Sequence, residues 1–214
     1  MKIQWYGHAC FRLTSRGAAT VITDPYDYEV VGYQELNLRG QIVSISRDIP
    51  AYNHISAVKG NKRVLRGPGE YEIGDVFITA VRTNGDKKRK NDELYNTLYV
   101  FDYDGITIAH LGNLRRVPTQ SQVEALGAVS IALVPVGGGE GLIAAKASEV
   151  ISLLEPGIVI PMHYNTPDSK IKLNPLSKFM KEMGLSEIES EQELSVTQSS
   201  IPTETQIVVL DYQA

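Results

Sequence analysis

Short apolar runs rich in β-branched and aromatic residues, separated by Gly, Pro, Asp and Asn, recur along the chain and predict many short strands. They cover residues 3–6, 10–13, 20–23, 42–45, 63–65, 76–82, 97–102, 106–110, 130–134, 158–161 and 206–211. The run IVSIS at 42–46 alternates little and enters a Pro-containing turn, as a buried strand does before a loop that carries chemistry. Asp104-Gly105 stands between two runs and predicts a tight hairpin, because glycine takes the positive φ such turns need.

Helical patterns concentrate after residue 118. Thr119 is placed to cap a helix that runs to Gly127, and residues 144–154 are good helix formers followed by a stop at Pro156. A third helix begins at Pro175, with Leu176, Phe179, Met180 and Met183 at i, i+3, i+4 and i+7 and Gly184 as its C-terminal cap. That stripe reads as core packing. The polar stretch 186–205 reads as a surface excursion before the final strand. Periodicity alone stops at α/β or α+β.

Composition narrows the functional classes. At 214 residues the chain is long enough for one large domain, and residues 1–214 are read as one. A net charge of −4 and an isoelectric point near 5.6 leave no broad basic face for nucleic acid. The lone cysteine, Cys10, excludes an intramolecular disulfide and a Cys-rich zinc site, and it fits a reducing compartment as a small buried residue. The N-terminal MKIQWYGHACF has no apolar core of the signal type, and no stretch reaches the roughly 18 apolar residues needed to span a bilayer. A cytoplasmic protein with no membrane partner is expected.

Seven segments carry a resemblance: WYGHACFRL at 5–13, TDPY at 23–26, GPGEYEIGDVFIT at 67–79, NTLYVFDYDG at 96–105, HLGNL at 110–114, ALGAVSIALVPVGG at 125–138 and EPGIVIPMHYNTP at 155–167. In this order they resemble the metallo-β-lactamase superfamily, most closely its branch of zinc-dependent hydrolases that includes L-ascorbate-6-phosphate lactonase-like proteins. The resemblance implies an α+β fold, a four-layer αββα sandwich with two sheets face to face and helices outside. It also implies a two-zinc centre whose ligands come mostly from a His-x-His-x-Asp-His motif after the strand at 42–45.

That motif is absent. With Ser46 and Asn53 as anchors of SRDIPAYNH, the ligand positions fall on Arg47, Ile49, Ala51 and Tyr52. Zinc binds imidazole nitrogen, thiolate or carboxylate oxygen at about 2.0 to 2.3 Å; Arg is a cation with no lone pair to give, and Ile and Ala have no donor. The loop RTNGDKKRKNDE at 82–93 has no His where the family has one, and HLGNL puts Asn113 in place of a bridging Asp. Of the implied ligands only His163, in PMHY, survives, so no metal ligand set and no cofactor are expected.

Arg47, Arg116 and the basic run at 87–90 would place fixed positive charge where the metals would lie. The expected site is therefore a metal-free pocket for an anionic small molecule, a phosphate or carboxylate, lined by Arg47, Asn113, Arg116, His163 and His8. His163 is also the candidate for acid-base chemistry, against a purely hydrogen-bonding role. His110 reads as a structural imidazole and His54 as a helix start. The glycine run at 137–139 lacks the Gly-Lys-Ser/Thr ending of a phosphate loop and reads as a strand-to-helix turn.

Three classes follow. The first is a catalytically silent homologue, a pseudoenzyme with a degenerate metal site. The second is a metal-independent hydrolase, for which the chain offers no nucleophile beside a base. The third is an active metal-dependent hydrolase with an atypical, mononuclear site. The residues name neither a substrate nor an oligomeric state.

Overall fold

The strand-forming runs assemble into two principal sheets. In the computed structural model, which describes residues 1–60, 62–83, 95–186 and 188–213, the first has six strands. Their order across it is Leu194–Ser195, Lys2–Trp5, Phe11–Thr14, Val21–Thr23, Ile42–Ser44 and Arg63–Leu65. The second has seven, in the order Gln206–Ile207, Ile158–Met162, Ile131–Pro135, Ile106–His110, Asn96–Tyr103, Phe77–Thr83 and Gly69–Glu72. The basic run at 87–90 lies outside the described residues.

Both sheets change from antiparallel to parallel part-way across. Val21–Thr23, Ile42–Ser44 and Arg63–Leu65 run parallel in the first, and Ile106–His110, Ile131–Pro135 and Ile158–Met162 in the second. The two strands Ile131–Pro135 and Ile158–Met162 are buried at every position. Such continuous apolar runs belong to parallel strands covered on both faces, and each fully buried Ile, Leu or Val contributes about 1.5–3 kcal/mol.

The sheets pack face to face, and their buried apolar side chains form one cluster. Two tyrosines of Asn96–Tyr103 cross the gap. Tyr99 Oη lies 3.0 Å from the Ile45 carbonyl and 3.1 Å from that of Leu65, while Tyr103 Oη lies 3.0 Å from the Ala19 carbonyl. Buried hydroxyls need such partners, so these contacts fix how the sheets are aligned.

Helices Gln120–Leu126 and Ala144–Leu154 lie against the second sheet, and Leu176–Glu182 packs on Ala144–Leu154. Thr119 and Gln122 form a capping box, and Gly127 closes that helix. Pro175 sits at the N-cap of the last helix, one position before the first turn, and Phe179 and Met180 are its buried anchors. At the hairpin, Asp104 and Gly105 both have positive φ, 52° and 83°, as a type I′ turn requires.

Two expectations are corrected in extent. The final strand is only Gln206–Ile207, continued by isolated bridges at Leu210 and Tyr212. The stretch 186–205 is not only excursion, since Leu194–Ser195 pairs antiparallel with the edge strand Lys2–Trp5. The exposed edge strand Gly69–Glu72 escapes the pattern because Gly and two Glu mask any alternation. No helix among the described residues is long and apolar enough to cross a membrane.

Candidate functional site

Parallel strands deliver their C-terminal loops to one edge, and the two sheets bring their parallel halves to the same edge. Asp24 and Arg47 follow strands of the first sheet; Asn113, the 137–141 loop and His163 follow strands of the second. Hydrogen bonds seam the edge. Thr97 N donates to the Ser46 carbonyl at 2.9 Å, and His163 N donates to the His8 carbonyl at 3.1 Å. Asn96 shapes the turn at Asn113: its Oδ1 accepts from Asn113 N at 2.9 Å and its Nδ2 donates to the Leu111 carbonyl at 3.1 Å.

Arg47 is the central residue. Its side chain is 1% exposed, and Nη1 donates to Glu140 Oε2 at 3.0 Å. Glu140 itself is 62% exposed and also accepts from Arg115 Nη2 at 2.6 Å. Arg47's hydrogen bond holds the Glu140 carboxyl below its ordinary range. The guanidinium stands 5.8 Å from the ring centroid of Tyr52. Nε and Nη2 of Arg47 are buried without a hydrogen-bond partner among the described residues. These two nitrogens form the side-on fork that takes an oxyanion with two parallel hydrogen bonds.

The imidazoles of His8 and His163 lie beside it, with ring centroids 4.6 Å apart. His163 Nε2 is 3.1 Å from the Tyr52 hydroxyl. Burial keeps that phenol protonated, and the contact forms with either ring tautomer, the hydroxyl donating to a bare Nε2 or accepting from Nε2–H. His163 Nδ1, both ring nitrogens of His8 and Asn113 Oδ1 are buried and unpartnered. A Cβ placed on Gly141 would stand 2.6 Å from Asn113 Oδ1 and 3.6 Å from His163 Nδ1, so the absence of a side chain there lets the loop pack closely on the site. Burial, reinforced by Arg47, pushes His163 down to about 4, and burial, His163 and Arg47 push His8 well below its ordinary value. Both rings are neutral at pH 7.

Asp24 and His110 form a second buried group beneath this one. Asp24 accepts from Ser46 N at 2.6 Å and from Ser46 Oγ at 2.5 Å, and His110 Nε2 is 4.0 Å from Asp24 Oδ2. Burial pushes Asp24 up to about 7, against the pull of the Ser46 bonds and of Arg47. His110 Nε2 donates to the Ala9 carbonyl at 2.9 Å, which supports its structural reading. His8, Asp24 and His163 all have left-handed φ, 51°, 39° and 52°. Non-glycine residues in that region cost of order 1–3 kcal/mol each and gather at functional sites.

Of the residues expected in the pocket, the structure brings together Arg47, Asn113, His163 and His8. Arg116 is exposed on the turn, and its neighbour Arg115 is the residue that reaches Glu140. Asp48 is exposed and pairs with Arg66 at 2.6 Å, and His54 bonds Ser56 at 3.0 Å as it opens a 3-10 turn. Tyr52, at another of the altered ligand positions, also joins the site through its hydroxyl contact with His163. Glu140 and Gly141 were hidden in a glycine-rich turn. The one available signal was a carboxylate flanked by glycines at the end of a buried strand.

A family model described as the Beta-lactamase superfamily domain matches residues 2–163. The chain belongs to the β-lactamase superfamily. A solved structure of a putative zinc-dependent hydrolase of the metallo-β-lactamase superfamily from Thermotoga maritima is 37% identical, with a TM-score of 0.81 over 99% of both chains. A UPF0173 protein of Pyrococcus abyssi is 28% identical over 186 residues, covering 78% of this chain and 84% of that protein. A UPF0173 metal-dependent hydrolase of Koribacter versatilis is 25% identical over 215 residues, covering 85% and 92%. The mixed sheets and outer helices described above are the fold of these β-lactamase superfamily relatives.

The family implies zinc, and the donors among the described residues do not fit it. Among the described residues no group of three His, Cys, Asp or Glu side chains is placed to hold a metal. Asp24 spends its oxygens on Ser46, and a fixed guanidinium stands beside His163 where a second cation would be repelled.

Proposed function

We propose that this chain is a catalytically silent homologue of the metal-dependent hydrolases, with a metal-free pocket that binds a small oxyanion. The observation that carries the reading is Arg47: a fully buried guanidinium whose side-on fork has no hydrogen-bond partner among the described residues. A buried charged donor left unsatisfied costs more than a typical hydrogen bond returns. Such a cost is tolerated where a ligand relieves it. Arg47 would bind the anion, His163 Nδ1 would donate to it, Asn113 and Gly141 would bound it, and His8 would close the far side.

Metal analysis and anion titration test this together. The chain purified without chelator should hold well under about half an equivalent of zinc, manganese or iron. Millimolar acetate or phosphate should raise its melting temperature, as any ligand of the folded state does. Tightly held metal above that level, or no response to either anion, would overturn the proposal. The competing reading, an active hydrolase with an atypical mononuclear site, is favoured by the names of the relatives; it requires the metal.

A further inference from the structure

The Arg47 fork does not stand alone in the field of its ligand, because the third nitrogen of the same guanidinium already carries a carboxylate. We propose that Glu140 sets the charge of the ligand, so that the pocket takes a singly charged carboxylate, the acid group of a small organic acid, in preference to a doubly charged phosphate or sulfate. The inference rests on the oxyanion reading above and specifies the anion.

Three observations support it. Glu140 Oε2 lies 3.0 Å from Arg47 Nη1, directly across the guanidinium from Nε and Nη2. An anion on the fork therefore shares the Arg47 guanidinium with a resident carboxylate, and each further ligand charge adds to that repulsion, screened in part by the solvent that reaches Glu140. Arg115 fastens Glu140 from the solvent side at 2.6 Å, so the resident carboxylate is held in place.

Among the described groups beside the fork the one further cation is Arg115, and it is bonded to Glu140. His8 and His163 are buried and held neutral, and Asn113 is an amide. A tetrahedral dianion wants two or more cationic donors, whereas a planar carboxylate is satisfied by one bidentate arginine and a neutral N–H.

The test compares acetate with sulfate by calorimetric titration at pH 7.5, on the wild-type chain and on Glu140→Gln, whose side chain is mostly exposed and whose folding is checked by its urea midpoint. Wild type should bind acetate at least about tenfold more tightly than sulfate. Glu140→Gln removes one negative charge beside the fork, and should gain about tenfold in sulfate affinity with a smaller gain for acetate. A wild-type chain that binds sulfate as tightly as acetate, or a ratio unchanged in Glu140→Gln, overturns the role of Glu140 and leaves the oxyanion pocket standing. Silence of both proteins toward both anions overturns the pocket itself.

Discussion

Replacing Arg47 by Met is the sharpest perturbation, because function and stability should move in opposite directions. Without ligand, the buried fork leaves two nitrogens unpaired, at about 1–3 kcal/mol for each unsatisfied group. Against this, the ion pair with the mostly exposed Glu140 returns no more than about 1 kcal/mol. The contact with Tyr52 at 5.8 Å adds about 0.5–1 kcal/mol. Methionine keeps the volume and fills the site with an adaptable apolar chain. Glu140 is not stranded by the change, since it faces water and retains Arg115. Arg47→Met should therefore be neutral or up to about 3 kcal/mol more stable, a melting shift of about 2–4 °C per kcal/mol for a chain of this size. Urea denaturation in a buffer free of carboxylate and phosphate reads the first effect, and acetate titration reads the second, which should vanish. A loss of more than about 3 kcal/mol would show Arg47 to be an ordinary structural residue and would refute the reasoning.

Two further outcomes follow. Gly141→Ala places a methyl 2.6 Å from Asn113 Oδ1, beside the proposed anion position, so acetate affinity should fall by tenfold or more at a stability cost of about 1–2 kcal/mol; unchanged affinity in calorimetry would contradict that position. The buried pair Asp24 and His110 should give opposing pH dependences. His110, pushed down to about 4 by burial, stays neutral in the folded chain while the unfolded chain takes a proton below about 6.5; its contribution is full above that pH and is lost as pH falls towards 4. Asp24, pushed up to about 7, keeps a proton that the unfolded chain releases above about 4, so its contribution is lost as pH rises towards 7. Asp24→Asn removes the second slope, and between pH 4.5 and 6.5 the variant should become more acid-sensitive than wild type by about 1.4 kcal/mol per pH unit. Parallel urea midpoints across that range would contradict this.

The fold was largely legible because each element signals itself locally. Thr119, Gln122 and Gly127 mark both ends of one helix by capping chemistry, and Asp104-Gly105 marks the hairpin by backbone conformation. Edge elements without such signals were not, as Gly69–Glu72 and Leu194–Ser195 show, since their pairing depends on distant partners. At the site, the positions of Arg47, Asn113 and His163 followed from the strands that precede them. Which arginine of the pair 115–116 turns inward did not, because that depends on where Glu140 lies, 24 or more residues further along the chain.

The distribution of cost across the molecule bears on whether this edge is a relic or a working site. A site that had only lost its ligands could relax, filling with apolar side chains as Ala51 does at one of the altered positions. Here three non-glycine residues, His8, Asp24 and His163, are held in left-handed backbone, and the strain is locked by specific bonds: the His8 carbonyl accepts from both the His163 amide and the Trp5 indole. Unpartnered buried nitrogens of His8, Arg47 and His163 lie at the same edge. Strain and unsatisfied polarity each have an inexpensive remedy in a protein core, a glycine for one and a leucine for the other. Their coincidence around a single guanidinium fork is the arrangement expected where a bound anion restores the balance.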